Sequence, residues 1–347
     1  MANITLVLKN LKIGGVQKIT IDLAKSLIDA GHNVRIFSLS NTREFCDIDD
    51  LNIYHPIKNL GRLGKYISFF RCAFWSDAII TSLPEYWPLR FSNVFKYKAI
   101  AWLHGPAEKI GTPKLTKNIR KINTIVCVSN GIKNDLIKLF PNEENKIIDI
   151  PNFIDSYTLN HLARKYTTRT GSIGKRLLCV QRFSSQKDHK TLIKAIHLLR
   201  QKNIQINLTI VGDGDTRSDA EAIAKDLKVD DLITFAGSKS NPYPYFINTD
   251  AFVLSSYFEG FGIVLIESLA FALPTISTNC EFGPAEILGN GEYGILTEVG
   301  NEKQMADAIY QALFDNKTRT KLISASTKRA AFYERENITK KWESLFC

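Results

Sequence analysis

The sequence has no long run of apolar residues. Its apolar runs are short, such as residues 177–180 and 252–254, whereas a helix that spans a bilayer needs about 20 apolar residues. Residues 1–8 have no basic flank before their apolar stretch and no small-residue cleavage site, so we expect no signal peptide. The sequence therefore predicts a protein of the cytoplasm.

Cysteine is scarce, with six in 347 residues, and none of the six forms a C-x-x-C pair or has a histidine at metal-ligand spacing. Cys127 and Cys179 lie inside apolar runs, where a buried and unreactive thiol is the ordinary interpretation. This usage predicts a reducing compartment and no zinc site. The composition, 44% hydrophobic and 23% charged, excludes a disordered chain, a collagen and a disulfide-stapled miniprotein.

Acidic residues are few in the first half of the chain. Residues 1–150 carry 21 Lys and Arg against 13 Asp and Glu, while the remainder carries 24 against 22. Such an asymmetry indicates a polyanionic partner, either nucleic acid or an anionic membrane surface. Residues 58–76 contain four basic residues among large apolar ones and no acid. They are typical of a segment that lies on an anionic bilayer, and equally of a packed helix with a solvated basic edge.

Apolar patterns alternate between strand and helix along the chain. Residues 4–8 predict a strand, apolar residues at helical spacing follow, and residues 34–39 predict the next strand. After a polar stretch the same alternation restarts at residue 176. We therefore predict an α/β protein with two Rossmann-like, doubly wound parallel sheets that face a cleft. The predicted parts are a first domain over 1–155, a linker over 156–175, a second domain over 176–332, and a C-terminal helix over 333–347 that is a candidate to cross back to the first domain.

Two carboxylates, Glu259 and Glu267, stand eight residues apart around a glycine-containing turn. A helix that begins near Phe261 carries Glu267 on an inner face, because eight residues are slightly more than two turns. Backbone N–H groups near Phe261 and Gly262 would then form an anion site at the helix N-terminus. A solvated helix explains this segment poorly, since apolar residues flank both carboxylates and a buried carboxylate needs a partner.

Two glycines, Gly14 and Gly15, separate the first predicted strand from the first helix. They allow close approach of an anionic ligand to a helix N-terminus, or they form an ordinary turn. The segment is not G-x-G-x-x-G, and no acid ends the second strand, which disfavours a dinucleotide site. Asp213 and Asp215 form a D-x-D pattern that could hold a metal, but Asp and Gly after a strand favour a turn.

The segment from Glu259 to Glu267 resembles the E-x7-E motif of the retaining family 4 glycosyltransferases, which have the GT-B fold. Arg182 and Lys187 resemble the R-x4-K pair of that family, and Gly14 with Gly15 resembles its Gly-Gly loop. Four further segments resemble the family in the same order along the chain: residues 151–155, with Phe153 in place of the usual glycine, residues 210–214, residues 232–237, and residues 280–288, a variant common in bacterial enzymes that build surface polysaccharides.

The resemblance implies a role for each of these residues. Arg182 and Lys187 would clamp the donor diphosphate, Glu267 would bind the ribose hydroxyls, and Glu259 would contact the transferred sugar. The backbone near Phe261 and Gly262 would add N–H donors. Three glycines, Gly14, Gly15 and Gly212, would line the donor, and His104 matches the family's histidine near the sugar and diphosphate. The resemblance also implies that no metal or other cofactor is required, because arginine and lysine take the place of the metal.

The predicted activity is that of a retaining hexosyltransferase, with a UDP-sugar as the expected donor. The expected acceptor is a glycan or a lipid-linked glycan in bacterial lipopolysaccharide or surface-polysaccharide synthesis. The basic first domain predicts peripheral contact with the inner face of the cytoplasmic membrane. Two alternatives are a dinucleotide-dependent oxidoreductase and a basic nucleic-acid-binding protein. The missing glycine and acid disfavour the first, and the lack of a nucleic-acid-reading motif, with a nearly neutral second half, disfavours the second.

Overall fold

The computed structural model describes residues 1–12, 14–45, 48, 50–57, 61–83, 92–106, 116, 118–164 and 174–346, apart from the side chains of Arg62 and Asn93. The chain divides into two compact units. The first comprises Met1–Phe153 together with Arg335–Cys347, and the second comprises Ile154–Glu334. Within the described ranges, no helix combines the length and the apolar character needed to cross a bilayer.

The first unit contains a parallel sheet of seven strands in the order β3-β2-β1-β4-β5-β6-β7. The strands are β1 Asn3–Leu8, β2 Asn33–Ser38, β3 Ile53–Tyr54, β4 Ala78–Thr81, β5 Lys98–Leu103, β6 Thr124–Cys127 and β7 Ile147–Asp149. The α-helices of its main segment are α1 Gly15–Asp29, α2 Gly61–Trp75, α3 Ser92–Phe95 and α4 Asn130–Leu139, and 3₁₀ turns cover Ile119–Lys121 and Pro141–Lys146. The strands are apolar almost throughout, as expected for a sheet covered on both faces.

The second unit contains a parallel sheet of six strands in the order β10-β9-β8-β11-β12-β13. The strands are β8 Lys175–Val180, β9 Ile206–Val211, β10 Ile233–Gly237, β11 Ala251–Leu254, β12 Thr275–Thr278 and β13 Ile295–Thr297. The α-helices are α5 Ser156–Arg164, α6 His189–Gln201, α7 Arg217–Asp226, α8 Tyr243–Phe246, α9 Ile263–Ala270, α10 Pro284–Ile287, α11 Glu302–Phe314 and α12 Asn316–Phe332, with 3₁₀ turns at Asp230–Leu232 and Gly289–Gly291. Its core joins β8, β9 and β11 to the apolar faces of α6 and α11.

The C-terminal helix α13, Arg335–Glu343, belongs to the first unit. Its Trp342 is fully buried and meets Trp102 of β5 edge to face, with 4.9 Å between the ring centroids. The hydroxyls of Thr339 and Ser26 are hydrogen-bonded and attach the helix to α1. The last helix of the sequence therefore completes the core of the first unit.

The start of the predicted linker has a regular structure. Residues 156–164 form helix α5, in which Leu159 and Ala163 are buried. These two residues are four apart, so they form a narrow apolar stripe on an otherwise polar helix. Residues 165–173 lie outside the described part of the chain, and Lys175 already belongs to β8.

Each sheet reverses its strand order once, at β1/β4 in the first unit and at β8/β11 in the second. The prediction of two doubly wound parallel sheets is therefore confirmed. Ligands of open parallel sheets bind outside the carboxyl ends of the strands at such a reversal. The loops that follow β8 and β11 contain three of the predicted site residues, Arg182, Lys187 and Glu259.

Candidate functional site

Two loops at the carboxyl edge of the second sheet are joined by backbone hydrogen bonds. The amide of Tyr257, after β11, donates to the carbonyl of Gln186, after β8, at 2.9 Å. The side-chain amide of Gln186 donates to the carbonyl of Phe258 at 2.8 Å. An antiparallel bridge pairs Lys187 with Ser256. Residues about 70 positions apart in sequence are thereby fixed side by side.

This pairing brings the predicted cation and the first predicted carboxylate into contact. Lys187 Nζ donates to Glu259 Oε1, and the Ser256 hydroxyl donates to the same oxygen at 2.7 Å. The side chains are only 14% and 8% exposed. A carboxylate this deeply buried requires such compensation, and removing either partner would leave an isolated charge. The two residues thus form one fixed ion pair at the carboxyl edge of the second sheet.

Arg182 lies beside this pair in sequence but is exposed. Its neighbours anchor its backbone, because the amides of Gln181 and Phe183 donate to the carbonyls of Val211 and Asp213 at 3.0 and 3.1 Å. Among the described residues, the guanidinium of Arg182 has no ion-pair partner. The backbone of this segment is therefore fixed, while the charged side chain of Arg182 is exposed to solvent.

Gly212 and Gly214 allow the turn after β9 to approach this anchored segment. Both have φ of +150°, and a Cβ on them would stand 2.0 Å from the carbonyl oxygen of Gln181 and 2.1 Å from that of Phe183. The N–H of Gly212 already donates to the carbonyl of Gly237 at 3.0 Å. Gly212 was predicted to line the donor. In the structure, the close packing against Gln181 by itself explains why this position is a glycine.

The D-x-D segment forms a turn. Asp213 accepts a hydrogen bond from the amide of Gly214 at 2.8 Å and pairs with Arg217 at 3.3 Å. Within the described ranges, no group of three or more His, Cys, Asp or Glu side chains is arranged to hold a metal ion. The first carboxylate of the pattern is therefore engaged by protein groups.

The second predicted carboxylate, Glu267, lies on α9 and is 6% exposed. The hydroxyl of Tyr243, on α8, donates to its Oε1 at 2.8 Å. The side chain of Phe261, one residue before Gly262 at the helix start, is buried against Tyr333, so only its backbone can serve a ligand. Nothing in the sequence pattern singles out Tyr243, because its contact with Glu267 depends on the packing of α8 against α9.

The two residues that follow Lys187, Asp188 and His189, are buried and make contacts of their own. Asp188 caps α6 by accepting from the amide of Thr191 at 3.1 Å, and it accepts from the hydroxyl of Tyr257 at the same distance. His189 stacks on Phe183, with 4.0 Å between the centroids, and burial lowers its pKa to about 4. A neutral histidine adds no charge near Lys187 at physiological pH. The sequence pattern did not reveal this group.

The remaining predicted residues lie in the first unit. Gly14 caps α1, whose first turn contains no acid, and Gly15 has open space where a side chain would be. His104 follows β5 and packs on Trp102, with 4.5 Å between the centroids. Burial lowers the pKa of His104 to about 3, and its Nε2 atom has no hydrogen-bond partner in the described part of the chain. A neutral imidazole with an unsatisfied nitrogen is suited to bonding a polar ligand.

Relatives of known sequence match both units. A family model described as Glycosyltransferase Family 4 matches residues 13–157, and one described as Glycosyl transferases group 1 matches residues 171–329. The chain is 30% identical over 220 residues to the N-acetylgalactosamine-N,N'-diacetylbacillosaminyl-diphospho-undecaprenol 4-alpha-N-acetylgalactosaminyltransferase of Campylobacter jejuni, a match that covers 63% of this chain and 59% of that protein. It is 31% identical over 210 residues to the lipopolysaccharide core biosynthesis glycosyltransferase LpsE of Rhizobium meliloti, covering 60% and 59%.

A solved structure, that of HepE from Anabaena in complex with UDP and glucose, superposes on 99% of this chain and 99% of its own, with a TM-score of 0.83 and 17% identity. At that identity the likeness concerns the fold. The two family models together span most of the chain, and both sheets are parallel and doubly wound. The chain belongs to the group 1 and family 4 glycosyltransferases and has their GT-B fold.

Proposed function

We propose that this glycosyltransferase moves a hexosyl group from a UDP-sugar to a glycan or lipid-linked glycan, with retention of configuration and without a metal ion. The proposed setting is bacterial surface-polysaccharide or lipopolysaccharide synthesis, in the cytoplasm. The observation that carries the proposal is the buried pair of Lys187 and Glu259 at the carboxyl edge of a doubly wound sheet, with the exposed Arg182 in the same loop as Lys187.

The chemistry of sugar transfer matches these groups. Cleavage of the sugar–diphosphate bond puts negative charge on the leaving group, which Arg182 and Lys187 would stabilise. Lys187 has three donor positions, so it can keep its bond to Glu259 while it bonds a phosphate oxygen. The positive charge that grows on the anomeric carbon would be stabilised by Glu259. Glu267 would accept hydrogen bonds from the ribose hydroxyls.

The names of the relatives support the proposed substrates. The HepE structure contains UDP and glucose. The name of the Campylobacter protein includes a diphospho-undecaprenol, which is a lipid-linked acceptor, and the Rhizobium protein is named for lipopolysaccharide core synthesis. Metal independence is supported by the two cations, Arg182 and Lys187, which would neutralise the diphosphate, and by the pairing of Asp213 with Arg217.

The proposed reaction predicts which donors are consumed and how. We expect a panel of UDP-hexoses and UDP-N-acetylhexosamines to include at least one that is hydrolysed or transferred, at a rate unchanged by EDTA. Proton NMR of the glycoside formed by transfer should show an α-linkage, because these donors are α-linked and the reaction retains configuration. Loss of activity with EDTA that manganese restores would contradict metal independence, and a β-linked product would contradict retention. Binding of NADH without turnover of any UDP-sugar would favour the oxidoreductase alternative.

Helix α2 supports the proposal that the first unit contacts an anionic membrane. Large apolar side chains are exposed along one side of the helix, whereas Ser68, Phe69, Cys72 and Ala73 are buried. The exposed set is Leu63 (59% exposed), Tyr66 (41%), Ile67 (37%) and Phe74 (79%). These positions follow the helical repeat, so they form one stripe. Lys65 and Arg71 are exposed as well, and they would attract anionic lipid headgroups.

One part of the membrane prediction changes. Phe69, one of the large apolar residues of the segment 58–76, is fully buried and packs against Tyr97, with 6.4 Å between the centroids. Trp75 is covered on one face by Arg35, whose guanidinium lies 3.7 Å from the ring centroid. Insertion would therefore depend on the stripe and above all on Phe74.

The membrane proposal predicts charge-dependent binding to vesicles. We expect the protein to sediment with anionic phosphatidylglycerol vesicles and not with neutral phosphatidylcholine, and salt should weaken the binding. Each basic residue near the surface contributes about 1 kcal/mol, so Lys65→Glu with Arg71→Glu should weaken binding at least ~10-fold. The pair Lys225→Glu with Lys228→Glu in the second unit changes the net charge equally and should have little effect. No binding to anionic vesicles at low salt would refute the membrane contact and leave the transferase proposal intact.

A further inference from the structure

The carboxylate of Glu267 has a buried protein partner. Tyr243 is 4% exposed and Glu267 is 6% exposed, and the tyrosine hydroxyl donates to Oε1 at 2.8 Å. A hydrogen bond to a charged acceptor in a dry environment is stronger than one between neutral groups. A carboxylate accepts at about four lone-pair positions. The hydroxyl of Tyr243 occupies one of these positions.

The position of the Tyr243 hydroxyl is set by packing. The ring lies among Phe246 and Phe271, with centroids 6.1 and 6.2 Å away. The backbone amide of Tyr243 donates to Asn241 Oδ1 at 3.2 Å, and Asn241 Nδ2 donates to the carbonyl of Leu162 in α5 at 2.9 Å. The short helix α8 is thus attached to α5 on one side and to α9 on the other. The hydroxyl is a rigid donor and does not depend on a mobile side chain.

We infer that Tyr243 is a positioning residue for the donor nucleotide. Its hydroxyl fixes the rotamer of Glu267, so that the carboxylate is oriented toward the ribose hydroxyls before the nucleotide arrives. The inference rests on the proposed function, in which Glu267 binds the ribose. Preorganisation of this kind improves binding because less side-chain freedom is lost in the complex. It acts on nucleotide affinity and not on the bond that breaks.

The test is a cycle of binding measurements. Calorimetry would give the Kd of UDP, 2′-deoxy-UDP and 3′-deoxy-UDP for the wild type, Tyr243→Phe and Glu267→Ala. We expect Tyr243→Phe to weaken UDP binding about 10-fold, as expected for the loss of a hydrogen bond to a charged group. Removing a ribose hydroxyl from the ligand should cost less affinity in Tyr243→Phe than in the wild type. The KM for the UDP-sugar should rise while kcat stays near the wild-type value.

Two controls separate positioning from a structural role. Tyr245→Phe deletes a hydroxyl from the same short helix, and that hydroxyl has no hydrogen-bond partner among the described residues, so its binding should match the wild type. Replacing Tyr243 with 4-aminophenylalanine keeps the ring and returns a donor, and we expect it to recover part of the lost affinity even if Tyr243→Phe folds poorly. Thermal melting without ligand would report on the fold.

The possible outcomes separate the ribose-binding role of Glu267 from the positioning role of Tyr243. If the wild type binds both deoxynucleotides as tightly as UDP, the ribose role of Glu267 is wrong and the proposed function loses that assignment. If the wild type discriminates against the deoxynucleotides while Tyr243→Phe binds all three ligands like the wild type, the positioning role of Tyr243 is overturned and the ribose role stands. Equal weakening in Tyr245→Phe would also overturn it, since a specific contact could not explain that result.

Discussion

Lys187→Ala is expected to lower kcat/KM by about 100-fold or more, as is typical when a preorganised group that stabilises developing charge is removed. The variant loses one of the two cations proposed to bind the diphosphate, and it also leaves Glu259 buried without its ion-pair partner. An uncompensated buried carboxylate is costly, so we expect the melting temperature to fall as well. Steady-state kinetics with the donor identified by the substrate panel would measure the first effect.

Three comparisons separate the charge effect from the burial effect. Arg182→Ala removes an exposed cation, so it should reduce kcat/KM with little change in stability. Lys190→Ala, an exposed lysine on α6, should change neither. Lys187→Met combined with Glu259→Gln removes both charges of the pair. We expect the double variant to recover the melting temperature that Lys187→Met loses, because no buried charge is left unpaired, but not to recover activity, because the proposed role of Glu259 at the anomeric carbon is also lost. Near-normal kinetics of Lys187→Ala would contradict its proposed role.

The alternation of apolar segments was sufficient to predict both parallel sheets, because buried strands and amphipathic helices leave strong periodic patterns. The buried face of the helix over residues 61–75 was harder to predict, since large apolar residues occur all round that helix. Phe69 and Phe74 have the same chemistry, yet one is fully buried and the other is 79% exposed. Which of them faces the core depends on the contact with Tyr97, and a pattern along the chain does not contain that contact.

The candidate site likewise combines residues that could be predicted from the sequence with contacts that could not. The resemblance to family motifs predicted Lys187 and Glu259 as members of one site. Their direct contact depends on the hydrogen bonds between Gln186 and the loop that contains Tyr257, and these bonds join two distant segments. Tyr243 was missed for a related reason, because a buried tyrosine in an apolar stretch reads as an ordinary core residue. Residues that act through another residue leave no spacing of their own in the sequence.

A backbone contact beside the site predicts a large loss of activity when Gly283 is substituted. Gly283 has a φ of +72°, and a Cβ on it would lie 2.0 Å from the carbonyl oxygen of Phe261. That oxygen belongs to the backbone, so the clash cannot be relieved by rotating a side chain. The same two segments are joined next to the carboxylate, where the amide of Glu259 donates to the carbonyl of Glu281 at 3.3 Å. The loop around Gly283 therefore holds the backbone from Glu259 to Gly262 in place.

Gly283→Ala is accordingly expected to displace this backbone and to lower kcat by about 100-fold, since a shift of roughly 1 Å in a positioned group costs that much. Gly300→Ala is a matched control, because Gly300 has a φ of +75° and open space where the methyl group of an alanine would stand. The control should lose only about 1 kcal/mol of stability, the cost of a left-handed alanine, and keep its activity. Kinetics and thermal melting of both variants would measure the difference. UDP affinity should fall less than kcat in Gly283→Ala, because Glu267 and Tyr243 lie outside the displaced segment. If the two alanine variants have equal activity, the contact between Gly283 and Phe261 does not position the site.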